Sequence, residues 1–209
     1  MKNKELLLGI LGILIVIIIF IASSAMNKAD NKEINMETGK HYVEISVEKY
    51  GNIVVEVDAD AAPITATNFL NLVKDKFYDG LTFHRIIDGF VIQGGGYDEK
   101  GDRRAADTIK GEFEANGVEN NIKHERGVIS MARATAYDSA SSEFFIMHAD
   151  NNTLDGNYAA FGHVISGMEV VDKIVSEAHP TDDNGSIELT ERPVITSIRE
   201  IEAITTYEE

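Results

Sequence analysis

Apolar residues run without a break at one place in the chain, Leu6 to Ala22; elsewhere they alternate or recur at helical spacing. From His41 to Asp58, HYVEISVEKYGNIVVEVD alternates apolar and polar on both sides of Gly51-Asn52, which predicts an antiparallel hairpin with one buried face. Pro63 then opens PITATNFLNLVKDKFY, in which Ala66, Phe69, Leu70, Val73 and Phe77 share one face at helical spacing. This predicts an amphipathic helix with proline in its first turn. Short apolar runs follow at 82–87, 90–93, 127–131, 143–147, 159–165 and 193–201, separated by Gly, Asn and Asp. Such spacing predicts a sandwich or barrel rather than alternating strand–helix units. A second helix is expected over Met168–Val175, after the turn at Ser166-Gly167. The polar insertions 97–126 and 132–142 are expected as loops at one rim, outside the core.

The unbroken run is preceded by Lys2 and Lys4. As a helix it would extend about 26 Å at roughly 1.5 Å per residue, close to the ~30 Å of bilayer hydrocarbon once Ser23–Ala25 are included. Residues 1–25 are therefore expected to be a membrane anchor, or a signal peptide cleaved near the small residues Ser23 and Ala25. Basic residues before the span keep the short N-terminus inside, which places the rest of the chain on the extracytoplasmic side of the cell membrane, or secretes it if the N-terminus is cleaved. Residues 26–40, MNKADNKEINMETGK, are polar and aperiodic and read as a flexible tether. The folded domain is expected over 41–209.

Composition narrows the chemistry. The 209 residues carry a net charge of −16, and the terminal 25 residues hold only Lys2, Lys4 and Glu5, so the acidity belongs to the domain. A surface of that sign excludes nucleic acid as a partner. The absence of cysteine removes disulfides, thiol catalysis, zinc–thiolate sites and an acyl anchor on Cys. An exported domain of this kind must stand on its core alone, and a monomer is the default expectation.

No familiar catalytic or metal motif survives inspection. HERGV at His124 has Val128 where a second zincin ligand must stand, and DNNTLDG at Asp150 has Leu154 at a calcium-loop ligand position. Gly94-Gly95-Gly96 lacks dinucleotide spacing, and there is no G-x-S-x-G elbow. No metal or cofactor is implied. What remains is FHRIIDGFVIQGGG, Phe83 to Gly96, a largely apolar double run that nevertheless contains Arg85. An always-charged side chain in such a run needs a partner or a task.

FHRIIDGFVIQGGG, GVISMARA and SSEFFIMHADNNTLDGNYAAFGHVISGMEVVDKI together resemble the cyclophilin family of peptidyl-prolyl cis-trans isomerases, in order and over about residues 42 to 200. The resemblance implies a mainly β fold, a closed eight-stranded antiparallel barrel with a helix capping each end, to which the N-terminal helix would be added. It implies an enzyme that accelerates rotation about X–Pro bonds. Its partners would be proline-containing peptides and unfolded or folding exported proteins. Carried over position by position, Arg85 is the family's catalytic arginine. Phe90, Val91, Phe145, Leu154 and Tyr158 fall on its proline pocket, and Gln93 on the glutamine beside the arginine. Ala132, Arg133 and Ala134 fall on the edge along which substrate backbone lies. Phe144 is expected to point the opposite way from Phe145, into the core. A binding module of the same fold with negligible turnover is the alternative, although a pure binder has no use for the arginine.

Four positions depart from the commonest family pattern: Asp88 stands for a proline, Val91 for methionine, Arg133 for asparagine and Glu143 for a glutamine that contacts substrate. Thr153 stands where drug-sensitive members carry tryptophan, so strong cyclosporin binding does not follow from the resemblance. Glu143 is expected at the substrate rim, where a direct pairing with Arg85 would restrain the guanidinium.

Overall fold

The computed structural model describes residues 35–202, and the expected anchor, with most of the tether, lies outside them. Among the described residues no helix is long and apolar enough to cross a membrane. Eight strands form one closed, wholly antiparallel ring: β1 (Lys40–Val47), β2 (Gly51–Asp58), β3 (Leu81–Ile87), β4 (Val91–Asp98), β5 (Val128–Met131), β6 (Phe144–Met147), β7 (Ala160–Ser166) and β8 (Val194–Ile201). Their order around the ring is β1-β2-β7-β5-β6-β4-β3-β8, with β8 pairing back onto β1. Two helices, α1 (Pro63–Lys74) and α2 (Met168–Glu177), complete the expected inventory.

The first hairpin is as expected except for its turn. Gly51 already pairs with Val47, and the reversal is made by Glu48–Tyr50 with Lys49 at φ 68. The end of the segment read as tether is also fixed on the domain. The Glu37 N–H donates to Thr67 Oγ1 (2.9 Å) and its carboxylate pairs with Lys74 (2.6 Å).

Helix α1 buries Ala66, Phe69, Leu70 and Val73, as its spacing requires, but it stops at Lys74 and leaves Phe77 outside. Lys76 adopts the left-handed conformation; its N–H donates to the Val73 carbonyl and the Phe77 N–H to Leu72. This paired closure satisfies the last free carbonyls and turns the chain. The start of α1 has no side-chain cap at Ala62, and Glu112 supplies one from the distant loop. The Ile64 and Thr65 N–H groups donate to its two carboxylate oxygens at 3.0 and 2.7 Å. Glu112 is 2% exposed and the adjacent Phe113 1%. The expectation that 97–126 is merely a rim loop therefore needs correction, because its middle enters the packed interior to close a helix end.

Apolar side chains from the inner faces of the strands and from both helices form one core. Phe69 lies at an aromatic centre, with ring centroids 5.4 Å from Tyr78, 5.7 Å from Phe144 and 5.1 Å from Phe161. A second, smaller apolar cluster contains Val91, Val128, Phe145, Met147 and Ala160. The strands β5 and β6 are buried at every position because they are covered on both faces, which is why they show no alternation of apolar and polar residues. As expected, Phe144 joins the inner core while Phe145 joins the outer cluster. That outer cluster is the floor of the site.

Candidate active site

Strand pairing assembles the site as a lateral row. Arg85 on β3 stands opposite Gln93 on β4, Gln93 opposite Phe145 on β6, and Phe145 opposite Ser130 on β5. Directly opposed residues project from the same face of a sheet, so four strands deliver these side chains side by side. A cavity of about 140 Å³ opens on this row, lined by Arg85, Phe90, Val91, Gln93, Ala132, Arg133, Phe145, Leu154 and Tyr158. Val91 and Phe145 form its buried floor at 1% and 5% exposure. The remaining two expected residues, Ala134 and Glu143, line an adjoining cavity of about 230 Å³ that shares Gln93, Ala132 and Arg133 with the first.

Arg85 is held at two points. Its Nε donates to the Asn184 carbonyl (2.7 Å) and its Nη1 to Gln93 Oε1 (3.2 Å), with the guanidinium 5.8 Å from the Phe90 ring centre. Among the described residues Nη2 donates to no protein acceptor. Partial burial draws the Arg85 pKa downward, opposed by Tyr158 and Asp182. A guanidinium stripped of some of its water is the stronger donor for it, because fewer solvent dipoles compete for its hydrogens.

The Asn184 anchor has no signal in the linear sequence, since it lies almost a hundred positions away. Asp182 builds it: one carboxylate oxygen accepts from the N–H groups of Asn184 and Ser186 (3.0 Å each), and the other from Ser186 Oγ (2.9 Å). Gly185 (φ 81) lets this turn press onto β3, where an added Cβ would come within 2.4 Å of Ile87.

Arg133 walls the cavity from the other side, between three aromatic rings: Tyr158 at 4.7 Å, Phe113 at 5.0 Å and Tyr137 at 5.1 Å. Its Nε and Nη2 donate to the Asn157 carbonyl, and Nη1 donates to those of Ala134 and Thr135. This side chain is committed to the protein and works as a staple beneath Tyr158. Behind Phe145, His124 lies nearly parallel to that ring at 6.1 Å, with Nδ1 3.1 Å from Asp155 and Nε2 3.1 Å from Ser130 Oγ. Burial lowers the His124 pKa, against the pull of Asp155. The trio looks like a hydrolytic triad, but Ser130 is fully buried, so it supports the floor and presents no nucleophile.

Glu143 stands at the rim but does not reach the Arg85 guanidinium. Gln93 stands between them and donates from Nε2 to Glu143 Oε2 (3.0 Å), and His84 Nε2 lies 3.5 Å from the same oxygen.

The profile of the family described as cyclophilin type peptidyl-prolyl cis-trans isomerase matches residues 42–200. The chain belongs to the cyclophilin family. A peptidyl-prolyl cis-trans isomerase of Acinetobacter baylyi is 47% identical over 132 residues, covering 60% of this chain and 68% of that one. Peptidyl-prolyl cis-trans isomerase B of Escherichia coli is 41% identical over 133 residues, covering 60% and 79%. A crystal structure of a Cryptosporidium parvum cyclophilin in the presence of the dipeptide Ala-Pro superposes with a TM-score of 0.63 at 27% identity, covering 78% of this chain and 99% of that one. This cyclophilin is a peptidyl-prolyl cis-trans isomerase, and the site must be judged against that reaction.

Proposed function

We propose that Arg85 is the group that lowers the rotational barrier, on X–Pro segments of proteins folding outside the cytoplasm. The supporting observation is a half-buried guanidinium fixed at the mouth of an apolar cavity with donors to spare. Rotation about a peptide bond costs roughly 18–20 kcal/mol because the C–N bond has partial double-bond character. In the twisted transition state that resonance is lost and the proline nitrogen regains a lone pair. A donor held beside the ring reaches that nitrogen only when it has become basic, so it favours the transition state over either planar isomer. Phe90, Val91, Phe145, Leu154 and Tyr158 hold the proline ring while the acyl side turns. No proton transfer or nucleophile enters the scheme, which is why no acid–base pair is needed at the site.

The test is isomer exchange, followed by NMR or by a coupled protease, on an X–Pro peptide with the full-length chain. Turnover lost in Arg85→Ala supports the reading; peptide binding without turnover in the native chain would make the domain a proline-peptide holder instead. Residues 1–25 are proposed to tether the domain as a monomer to the outer side of the cell membrane. Fractionation with membranes that resists salt and yields to detergent supports this, whereas a soluble exported form beginning near Met26 would assign the segment as a cleaved signal.

A further inference from the structure

Gln93 bridges two groups of opposite hydrogen-bonding character. The Arg85 guanidinium only donates and a carboxylate only accepts, whereas the Gln93 amide offers an oxygen on one side and an NH2 on the other. The sequence Arg85 Nη1 to Gln93 Oε1 (3.2 Å), then Gln93 Nε2 to Glu143 Oε2 (3.0 Å), is satisfied by one orientation of the amide. A half-turn would set NH2 against the guanidinium and oxygen against the carboxylate. We infer that Glu143 is a positioning residue for the isomerase: by accepting from Gln93 it locks that amide with its oxygen toward Arg85, and so holds the guanidinium at the cavity.

Three features support the lock. The Glu143 side chain lies across β4 at Gly96, where an added Cβ would stand 2.6 Å from its Cγ and Oε1, so the glycine provides the space the carboxylate occupies. The Glu143 backbone is pinned as well, its carbonyl accepting from the Ala132 N–H at 2.9 Å. The carboxylate also takes none of the donors of Arg85, because Gln93 keeps the two apart. A glutamine at 143, the residue the family commonly carries there, could present either end of its amide to Gln93. It would accept either end, so the orientation of Gln93 would rest on Arg85 alone, and the guanidinium would be held less firmly.

The inference rests on the isomerase reading for its kinetic consequence only, and two readouts on the full-length chain separate them. In Glu143→Gln, kcat should fall about three- to tenfold with KM changed less than about twofold, because donor alignment is lost while the apolar cavity is kept. In a Gln93→Ala background the same substitution should have no further effect, since the bridge is already gone. The NMR signals of the Gln93 side-chain NH2, assigned by their loss in Gln93→Ala, should shift and broaden in Glu143→Gln. An equal kinetic loss in the Gln93→Ala background, an unchanged kcat, or unchanged Gln93 signals would overturn the inference. A native chain without turnover would remove the reading of Arg85, and the NH2 signals would still decide the lock.

Discussion

The Arg133 guanidinium lies 4.7 Å from the centre of the Tyr158 ring, and the Asn157 carbonyl next to that tyrosine accepts from both its Nε and its Nη2. A residue that family resemblance places along the substrate thus holds up a wall of the cavity. Arg133→Ala should cost about 1–2 kcal/mol of unfolding free energy through its lost cation–π contacts, and should raise KM more than it lowers kcat. Urea unfolding and peptide kinetics check it; an unchanged KM would leave Tyr158 held by other means.

Arg85→Ala should lower kcat/KM at least tenfold, about 1.4 kcal/mol of transition-state stabilisation, with the barrel intact by circular dichroism. Arg85→Lys should recover only part of it. A lysine is a point charge on a flexible stem and cannot meet the Asn184 carbonyl and Gln93 Oε1 at once. Native rates in folded Arg85→Ala would exclude the proposed mechanism.

Acid should weaken the fold before it protonates the carboxylates. Burial lowers the pKa of both His84 and His124 from the ordinary 6.5, the carboxylates of Glu143 and Asp155 opposing it. Lys123 adds to the lowering at His124, and Arg192 and Arg85 at His84. The unfolded chain then binds more protons than the folded one once pH drops below about 6.5, so stability is lost as pH falls through that range. Burial alone would raise the Asp155 pKa, but the backbone and ring of His124, with Lys123, bring it below 3.8, so its contribution disappears at still lower pH. Denaturation at pH 7.5 and 5.5 measures the first loss. His124→Gln should flatten the dependence, and a wild-type domain equally stable at both values would show that the buried histidines keep their ordinary pKa.

Glu112→Ala should destabilise the domain by about 2 kcal/mol, because two N–H groups at the start of α1 lose a charged acceptor inside the protein. Glu112 is not among the residues that line the cavity, so activity of the folded fraction should persist. Thermal unfolding with residual activity checks both halves, and an unchanged melting temperature would mean that water caps the helix equally well.

Periodicity made the elements legible, because inner-face residues such as Val43, Ile45 and Val47 on β1, or Phe69, Leu70 and Val73 on α1, face one core. It also separated Phe144 from Phe145. The cavity residues came from the resemblance, and no spacing rule brings Arg85 to Tyr158. The missed features depend on partners far along the chain. Glu112 reads as a loop carboxylate until α1 arrives beside it, and Asn184 acts through a carbonyl that every residue possesses. The end of α1 turned on Lys76 accepting a left-handed backbone, an unfavourable choice for a residue with a Cβ. Whether Glu143 reaches Arg85 was not legible either, because proximity at a rim says nothing about which side chain stands between.

On the function proposed above, the domain works beside chains that have not yet folded, whose backbones carry unpaired N–H and C=O groups seeking a strand to join. The closed order of the ring, with β8 returned onto β1, gives each of the eight strands two neighbours. A sheet without a free edge cannot template the pairing of such chains into aggregates. The barrel can therefore handle sticky segments through a small cavity on its outer wall without itself becoming a seed for their misassembly.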